Sequence, residues 1–412
     1  MKIAICLNLI QPRDGTSHFA MQLGGMLAAV GHEVTLMAAR PKSLDLKRDA
    51  PGLAFISIGQ KPWQNAPATV RRIGSIFQEQ QFRVVFVCAG EPVPHLEAAL
   101  YLMPEETVVA PIVVSDRSFA YDLLQRTAAA WNMAVTISPR LQQIIGTRMP
   151  QKAARLLTTG VAQASDAELA ERIPLSVPLR LLFVGRLTGR KNVLMLPKIL
   201  AACLRRGMSA TLTVCGYGMD RKPLEQACHE EGLAHLVEFP EIPLQPELYR
   251  AMRRHHILLL TSSYSEGLGL VLLEAQANGC VPVSSRLLGV TDFALEEGVT
   301  GLLAEVGAID DFAGQVARLT EPERWQQFSH AGIVRTRRLF TLEQMAQDYA
   351  TLVDDLASGA YPLPTPRSQL PRPTFPLRVY APPALNSAVT RLYRRLRRSR
   401  LWPRSGTVKP DR

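Results

Sequence analysis

The most informative stretch of the chain is residues 265–275, which read Ser-Glu-Gly-Leu-Gly-Leu-Val-Leu-Leu-Glu-Ala. An apolar run of strand length, Ile257 to Thr261, precedes it, and an Asn278-Gly279 pair that can end a helix follows it. The pattern therefore predicts a strand, a glycine-rich turn and a helix in succession. Short apolar runs without polar alternation are typical of strands that are covered on both faces, as parallel strands are.

Strands and helices alternate in both directions from this stretch. We predict a first series of strands at residues 2–8, 33–38, 82–88, 107–114 and 134–137, with helices over 18–30 and from Ser138-Pro139 onward. A second series is predicted at residues 179–185, 211–216, 236–239, 257–261 and 281–284. Between the two series lies a polar segment with Pro174 and Pro178, which indicates a linker. The fold class is therefore α/β, with two facing Rossmann-like, doubly wound domains, whose ligands bind beyond the carboxyl ends of the strands.

Length and composition exclude several classes of protein. The 412 residues suggest two or three domains at roughly 100 to 200 residues each. The composition, with 47% hydrophobic and 20% charged residues, excludes disorder of the whole chain. No apolar run reaches the roughly 18 to 20 residues that span a bilayer. The short apolar start is interpreted as a first buried strand, so we expect a cytoplasmic protein. The six cysteines are widely spaced without a Cys-x-x-Cys pair, which predicts reduced, buried thiols.

The net charge of +11 lies in the carboxyl-terminal tail. Residues 361–412 contain 12 basic and 1 acidic residue, whereas the first 360 residues contain 35 of each, so the folded part gives no sign of nucleic-acid binding. The tail also holds 10 of the 30 prolines, and no compact core is expected there. Leu385, Val389, Leu392 and Leu396 recur among arginines in a basic amphipathic pattern over residues 384–402. An anionic membrane surface, a solvated disordered tail and another partner remain open.

The turn at residues 265–270 has the features of a phosphate site. Gly267 and Gly269 allow close backbone approach, and the helix that follows presents unpaired N–H groups with a partial positive charge. Glu266 precedes the helix, whereas Glu274 lies inside it, where a ribose could donate hydrogen bonds to its carboxylate. The alternative is a solvent-facing Glu266 and a Glu274 at the rim of the core.

A second loop strengthens this interpretation. Arg186 and Lys191 follow the strand at residues 179–185, in the same predicted sheet, so two cations and a helix amino terminus converge. They could hold a diphosphate and stabilise the negative charge that grows on it as it departs. Alone, this loop could be a charged surface loop. Gly216 and Gly218, at a third strand end, permit a close turn but are weak evidence alone.

Together these residues resemble the signature of retaining glycosyltransferases of the GT-B fold, family 4. The resemblance is specific from about Leu179 to Ala304 and weaker over the first domain, where Gly15 lies in a glycine loop. It implies that Arg186 and Lys191 contact the donor diphosphate. It also implies that Glu266 contacts the sugar, that Glu274 contacts the ribose, and that the amides of Gly269 and Leu270 contact the phosphate. The remaining implied donor contacts come from the backbone at Gly267 and Leu268 and from the glycine loops that contain Gly15 and Gly216.

The resemblance also implies an organisation of the chain and a reaction. We expect an acceptor domain over residues 1–165, a linker over 166–178, a nucleotide-sugar domain over 179–338, a helix over 339–358 that returns to the first domain, and the basic tail over 359–412. The sugar would pass from a nucleotide-diphosphate sugar to an acceptor hydroxyl with retained configuration. The basic tail alone suggests that the acceptor is a glycan or a lipid-linked molecule of cell-envelope synthesis. No Asp-x-Asp motif occurs, so no metal or other cofactor is expected.

The first domain departs from the family pattern in one loop. After the strand at residues 107–114 the chain reads Ser115-Asp116-Arg117, where the family often has a histidine near the transferred sugar. Whether Ser115 or Asp116 substitutes is open, and His95 is a further candidate for the cleft. This departure motivates one alternative, a nucleotide-sugar or glycan-binding protein without turnover. A second alternative is a sugar-nucleotide epimerase or a phosphorylase of the same architecture. A dinucleotide dehydrogenase is disfavoured because no Gly-x-Gly-x-x-Gly follows a strand.

Overall fold

A computed structural model describes residues 1–10, 15–41, 50–61, 64–89, 94–241 and 247–370, which form two α/β domains. The strands of the first domain are β1 (Lys2–Ile10), β2 (Glu33–Pro41), β3 (Ala54–Ser57), β4 (Val84–Cys88), β5 (Val108–Val113), β6 (Ala134–Thr136) and β7 (Ala154–Leu156). They pair in parallel in the order β3-β2-β1-β4-β5-β6-β7. The helices between them are α1 (Gly15–Ala29), α2 (Ala66–Gln80), α3 (Pro94–Ala99), α4 (Ser118–Arg126) and α5 (Pro139–Arg148).

The second domain follows a short helix, α6 (Asp166–Ala170), which lies in the predicted linker. Its parallel strands are β8 (Leu179–Arg186), β9 (Ala210–Tyr217), β10 (Val237–Glu238), β11 (Ile257–Leu260), β12 (Val281–Ser285) and β13 (Leu302–Ala304), in the order β10-β9-β8-β11-β12-β13. The helices are α7 (Met195–Arg205), α8 (Arg221–Glu230), α9 (Glu247–Arg253), α10 (Leu270–Ala277), α11 (Thr291–Ala294), α12 (Ile309–Ala317) and α13 (Pro322–Leu339). Two doubly wound, Rossmann-like domains are thus confirmed.

Burial explains which strands the sequence revealed. The central strands β1 and β4 are covered on both faces, and Ile3, Ile5 and Phe86 are completely buried, as the apolar runs predict. Three strands were not predicted: β3, β7 and β13. They have three or four residues each, and β3 and β7 lie at the two edges of their sheet with half-exposed side chains. A short edge strand has too little apolar sequence to be distinguished from a loop.

The last α-helix of the described residues returns to the first domain. It is α14 (Leu342–Ala357), which begins after Thr341, whose hydroxyl accepts a hydrogen bond from the Gln344 amide at 3.1 Å. The buried ring of Tyr349 packs edge-on against Phe19 of α1 and Phe86 of β4. The helix therefore fastens the end of the second domain to the first.

The beginning of the predicted tail also packs on the first domain. Arg367 is buried, and its guanidinium donates to the carbonyls of Pro104 at 2.9 Å and Thr107 at 2.7 Å. The Glu105 carboxylate accepts from the backbone amides of Arg367 and Ser368. Residues 361–370 are thus part of the folded body, because backbone carbonyls and one carboxylate satisfy the buried arginine. The basic amphipathic segment, residues 384–402, lies outside the described residues.

Two other sequence predictions concern the chain as a whole. All six cysteines are free and buried, as predicted, and burial raises the pKa of each thiol for which a shift is resolved, to about 11 for Cys203 and Cys215. Within the residues that the structure describes, no helix is long and apolar enough to cross a bilayer.

Candidate active site

The candidate site centres on an ion pair between Lys191 and Glu266. The Lys191 ammonium lies 2.6 Å from Glu266 Oε1, and the two side chains are only 12% and 9% exposed. The Ser262 hydroxyl donates to the same carboxylate oxygen at 2.5 Å. The structure therefore brings together two residues that lie 75 positions apart in sequence and that the motifs predicted to meet.

Hydrogen bonds join the two loops that carry this pair. Lys191 ends a short 3-10 helix, Gly189–Lys191, after β8, and its carbonyl accepts from the Thr261 hydroxyl at 2.7 Å. The Arg190 carbonyl accepts from the Ser263 amide at 3.0 Å and hydroxyl at 3.1 Å, and Arg190 Nη1 donates to the Ser265 carbonyl at 2.9 Å. The loop after β8 and the loop after β11 thus hold each other in place.

Electrostatics keep Glu266 ionised. Burial opposes ionisation of the carboxyl, but the Lys191 ammonium, the Ser262 hydroxyl and the Arg190 guanidinium outweigh burial and lower the pKa of Glu266. The site therefore presents a carboxylate, a hydrogen-bond acceptor, at neutral pH. Arg190 was not among the predicted site residues, although it adjoins Lys191 in the sequence; Ser262 was missed as well.

The glycine turn before α10 has the backbone geometry that the sequence indicates. Gly269 stands at the amino-terminal cap of α10 with φ +78°, and Ser265 also has a positive φ of 69°. A Cβ on Gly267 would lie 2.1 Å from the carbonyl oxygen of Val114, which follows β5 in the first domain. The turn therefore contacts the opposite domain directly, and only glycine permits that contact.

The other predicted donor residues of the second domain occupy varied surroundings. Arg186 ends β8 and is half-buried, and Glu274 is half-buried within α10. The Leu268 side chain is buried in the hydrophobic core, so only its backbone can face a ligand, while Leu270 is the first residue of α10. A Cβ on Gly216 would lie 2.5 Å from the Leu187 side chain, so packing alone excludes a side chain there.

In the first domain the predicted candidates are less closely assembled. Gly15 is the exposed first residue of α1, after β1. His95 Nε2 lies 3.1 Å from Gln60 Oε1, burial lowers the pKa of its imidazole, and its Nδ1 has no partner among the described residues. None of the hydrogen bonds or ion pairs of the described residues connects His95 to the second domain.

Asp116 and Ser115 differ in their surroundings. The Asp116 carboxylate lies 2.6 Å from Arg140 Nε and accepts from the Tyr121 hydroxyl at 3.1 Å, so both of its oxygens are engaged within the first domain. The Ser115 hydroxyl is buried and has no hydrogen-bond partner among the described residues. Of these two, only Ser115 has an unused polar group.

Two further unpartnered hydroxyls were missed by sequence reasoning. Ser138 occupies the predicted cap position of α5, but its completely buried hydroxyl makes no capping bond and has no partner in the described part of the chain. The Thr188 hydroxyl, after β8, is also buried and has no partner among the described residues. Because Val113 of β5 is in register with Thr136 of β6, Ser115 and Ser138 follow neighbouring strands at one edge of the sheet. Buried hydroxyls normally have partners, so these are candidate ligand contacts.

Comparison with known proteins shows which family the second domain resembles. Residues 171–333 match the family described as "Glycosyl transferases group 1". The chain is 29% identical over 192 residues to D-inositol 3-phosphate glycosyltransferase of Gordonia bronchialis, covering 43% of this chain and 41% of that protein. It is 31% identical over 157 residues to the amylovoran biosynthesis glycosyltransferase AmsK of Erwinia amylovora, which covers 37% of this chain and 38% of that protein. The chain thus spans about two fifths of the length of these curated relatives.

Solved structures match the fold over both domains. Sucrose-phosphate synthase from Thermosynechococcus elongatus superposes with a TM-score of 0.73 and 18% identity, over 87% of this chain and 99% of that one. Anabaena HepE, solved with UDP and glucose, superposes with a TM-score of 0.73 and 14% identity, over 86% of this chain and 100% of that one. At such identities the likeness concerns the fold. The second domain is therefore similar to the glycosyl transferases group 1 family, and the two domains together have the GT-B fold.

Proposed function

We propose that this protein is a glycosyltransferase that moves a sugar from a nucleotide-diphosphate sugar to an acceptor hydroxyl. The observation that carries the proposal is the buried Lys191–Glu266 pair at 2.6 Å, next to the glycine turn that begins α10. It places an ammonium, a carboxylate and the amino terminus of a helix at one edge of the cleft. These groups suit a sugar attached to a diphosphate.

The residues divide the reaction between them. Lys191, Arg186 and the amides at the start of α10 bind the diphosphate and stabilise the charge that it gains as the bond from its oxygen to the anomeric carbon breaks. Glu266, ionised because of its lowered pKa, accepts hydrogen bonds from the transferred sugar and stabilises positive charge on its ring. Glu274 binds the ribose hydroxyls.

The acceptor oxygen then bonds to the anomeric carbon. Its proton passes to an oxygen of the departing diphosphate, so no carboxylate nucleophile is required, and attack from the leaving-group side retains the anomeric configuration. Contact of Gly267 with the first domain excludes water from the reacting centre. The proposal includes no metal ion, and turnover should persist in excess EDTA.

The acceptor belongs to a glycan or glycolipid of the cell envelope. The relative AmsK, named for amylovoran biosynthesis, supports this class. The basic segment at residues 384–402 supports an acceptor held at an anionic membrane surface, where each arginine contributes about 1 kcal/mol. Arg367 fastens residues 361–370 to the first domain, and deletion of residues 384–412 removes none of the described residues. The deletion should abolish sedimentation with anionic vesicles at low salt, and unchanged sedimentation would refute the membrane role.

A screen of nucleotide sugars for thermal stabilisation is the first test, because a ligand of the native state raises its Tm. UDP-sugars come first, since HepE was solved with UDP. With the stabilising donor, pooled envelope glycans and glycolipids should trigger release of the nucleoside diphosphate. The variants Glu266→Ala and Lys191→Ala should slow that release at least about a hundredfold, in line with loss of a transition-state contact. A binding protein would show affinity without release, and wild-type turnover in both variants would refute the assignment.

A further inference from the structure

Arg117 is a cation of the first domain that lies at the cleft. It precedes α4 and follows Val114, whose carbonyl oxygen lies against Gly267 of the second domain. Its guanidinium stacks over the Phe119 ring, 5.6 Å from the ring centroid, and the residue is half-buried. Stacking restricts the side chain, so the charge is held over the Phe119 ring, in the loop whose Val114 contacts Gly267.

The loops of the second domain place more cations opposite it. Arg190 is tied by Nη1 to the Ser265 carbonyl, two residues before the glycine that contacts Val114. Burial lowers the pKa of Arg190, Glu266 raises it, and the charges of Arg117 and Arg186 lower it further. Guanidinium groups of both domains therefore lie close enough to repel one another.

Two carboxylates of this region, Asp116 and Glu266, are paired with other groups. Asp116, the neighbour of Arg117 in sequence, pairs with Arg140 at 2.6 Å, and Glu266 pairs with Lys191 at 2.6 Å. In the part of the chain that the structure describes, Arg117 forms no ion pair. Arg190 and Lys191 both act on the one carboxylate of Glu266, and Arg117 adds a third positive charge. An anion bound there would offset this excess of positive charge in a partly buried site.

We propose that Arg117 binds the diphosphate of the donor from the first domain, so that the two domains share the anion site. This inference rests on the proposed function and deepens it. A planar guanidinium can bind phosphate oxygens through two parallel hydrogen bonds. The diphosphate would join cations of both domains and favour the closed cleft, and repulsion among the guanidiniums would favour opening once the nucleoside diphosphate leaves.

Calorimetric titration with nucleotides tests this division of the site. The proteins are the wild type, Arg117→Gln, Arg117→Lys and the control Arg148→Gln. Arg148 is a suitable control because it also stacks on a ring, 5.3 Å from the Tyr121 centroid, and pairs with Asp122 within the first domain. UDP and UMP are the probes, with ADP/AMP and GDP/GMP as further pairs.

We expect Arg117→Gln to weaken diphosphate binding at least tenfold while changing monophosphate binding less than threefold. Arg117→Lys should recover part of the loss, and Arg148→Gln should bind as the wild type does. Small-angle scattering should show that the diphosphate compacts the wild type more than Arg117→Gln. Equal diphosphate affinity in wild type and Arg117→Gln would overturn the inference and leave the proposed function intact. A wild type that binds none of the diphosphates would overturn both.

Discussion

The two sides of the cleft are built differently. On the second domain, the loops at residues 186–192 and 261–270 form a rim, here named the donor rim after its proposed ligand. In it Lys191 and Ser262 both bind Glu266, while the Thr188 hydroxyl has no partner among the described residues. On the first domain, the loops at residues 114–117 and 137–139 form an acceptor rim that carries the unpartnered hydroxyls of Ser115 and Ser138. We infer that the ion pair of the donor rim is assembled before ligand arrives, whereas two hydroxyls of the acceptor rim, those of Ser115 and Ser138, are available to a ligand.

This contrast matches the chemistry proposed for each side. A diphosphate is the same group in every nucleotide sugar, so the residues that bind it can be fixed in advance, which removes the cost of reorganisation during the reaction. An acceptor differs from one enzyme to another, and an unsatisfied buried hydroxyl favours a ligand that hydrogen-bonds to it. Substitutions should therefore affect the two rims differently.

The largest effect is expected at the Lys191–Glu266 pair. Glu266→Gln removes the carboxylate and leaves a buried ammonium without its partner, so turnover should fall at least about a hundredfold and unfolding should become easier by about 3 kcal/mol. The double variant Lys191→Met/Glu266→Gln removes both charges and should recover most of the stability without recovering turnover. If the double variant recovers turnover, the pair is structural.

The same pair predicts an acid dependence. The pKa of Glu266 is lower in the folded protein than in the unfolded chain, where it is about 4.3. Its ionisation therefore stabilises the fold above pH 4.3, and this contribution is lost as the pH falls through the lowered pKa. Tm measured from pH 6 to pH 3 should fall more steeply for the wild type than for Glu266→Gln. Parallel curves would contradict the ionised pair.

A smaller effect is expected where the rims touch. Gly267→Ala would place a methyl group against the Val114 carbonyl and hold the domains apart by about 1 Å, a displacement that can cost about a hundredfold in rate. We expect turnover to fall between about tenfold and a hundredfold with little change in Tm. Gly314→Ala, with no atom near the added Cβ, is the matched control. Normal turnover in Gly267→Ala would show that this contact is not needed.

Serine substitutions compare the rims more directly. Ser262→Ala removes a buried hydrogen bond to a carboxylate and should lower stability by about 1.5 to 3 kcal/mol. Ser138→Ala and Ser115→Ala remove hydroxyls without partners, so the stability of the free protein should change by less than about 0.5 kcal/mol. Denaturant unfolding measures all three. Equal losses would contradict the difference between the rims.

A small effect on stability is also expected at Asp116. Asp116→Asn weakens the pair with Arg140, whose side chain is 46% exposed, so the loss of stability should be about 1 kcal/mol. Asp122→Asn, at a more exposed pair with Arg148, should cost about 0.3 kcal/mol. If Asp116→Asn instead abolishes turnover at unchanged Tm, Asp116 acts on the substrate and not on Arg140.

The sequence revealed the donor rim better than the acceptor rim, for physical reasons. A glycine turn, a helix start and flanking charges leave a local pattern, so Lys191, Glu266 and Gly269 could be identified without coordinates. Arg117 and Ser138 could not be identified in this way, because their significance depends on their surroundings. The charge of Arg117 acts on Arg190 of the other domain, and Ser138 stands at a cap position where its hydroxyl makes no cap bond. Likewise, nothing in the tail composition indicated that Arg367 is buried among carbonyls of the first domain.

The central claim is that a donor diphosphate binds where the loops after β8 and β11 meet the start of α10. A crystal structure with a bound nucleoside diphosphate tests it most directly. We predict phosphate oxygens within hydrogen-bonding distance of Lys191, Arg186 and the amides of Gly269 and Leu270, with Glu266 on the side of the leaving sugar. A diphosphate bound elsewhere, with Lys191 and Arg186 making no contact to it, would contradict the account.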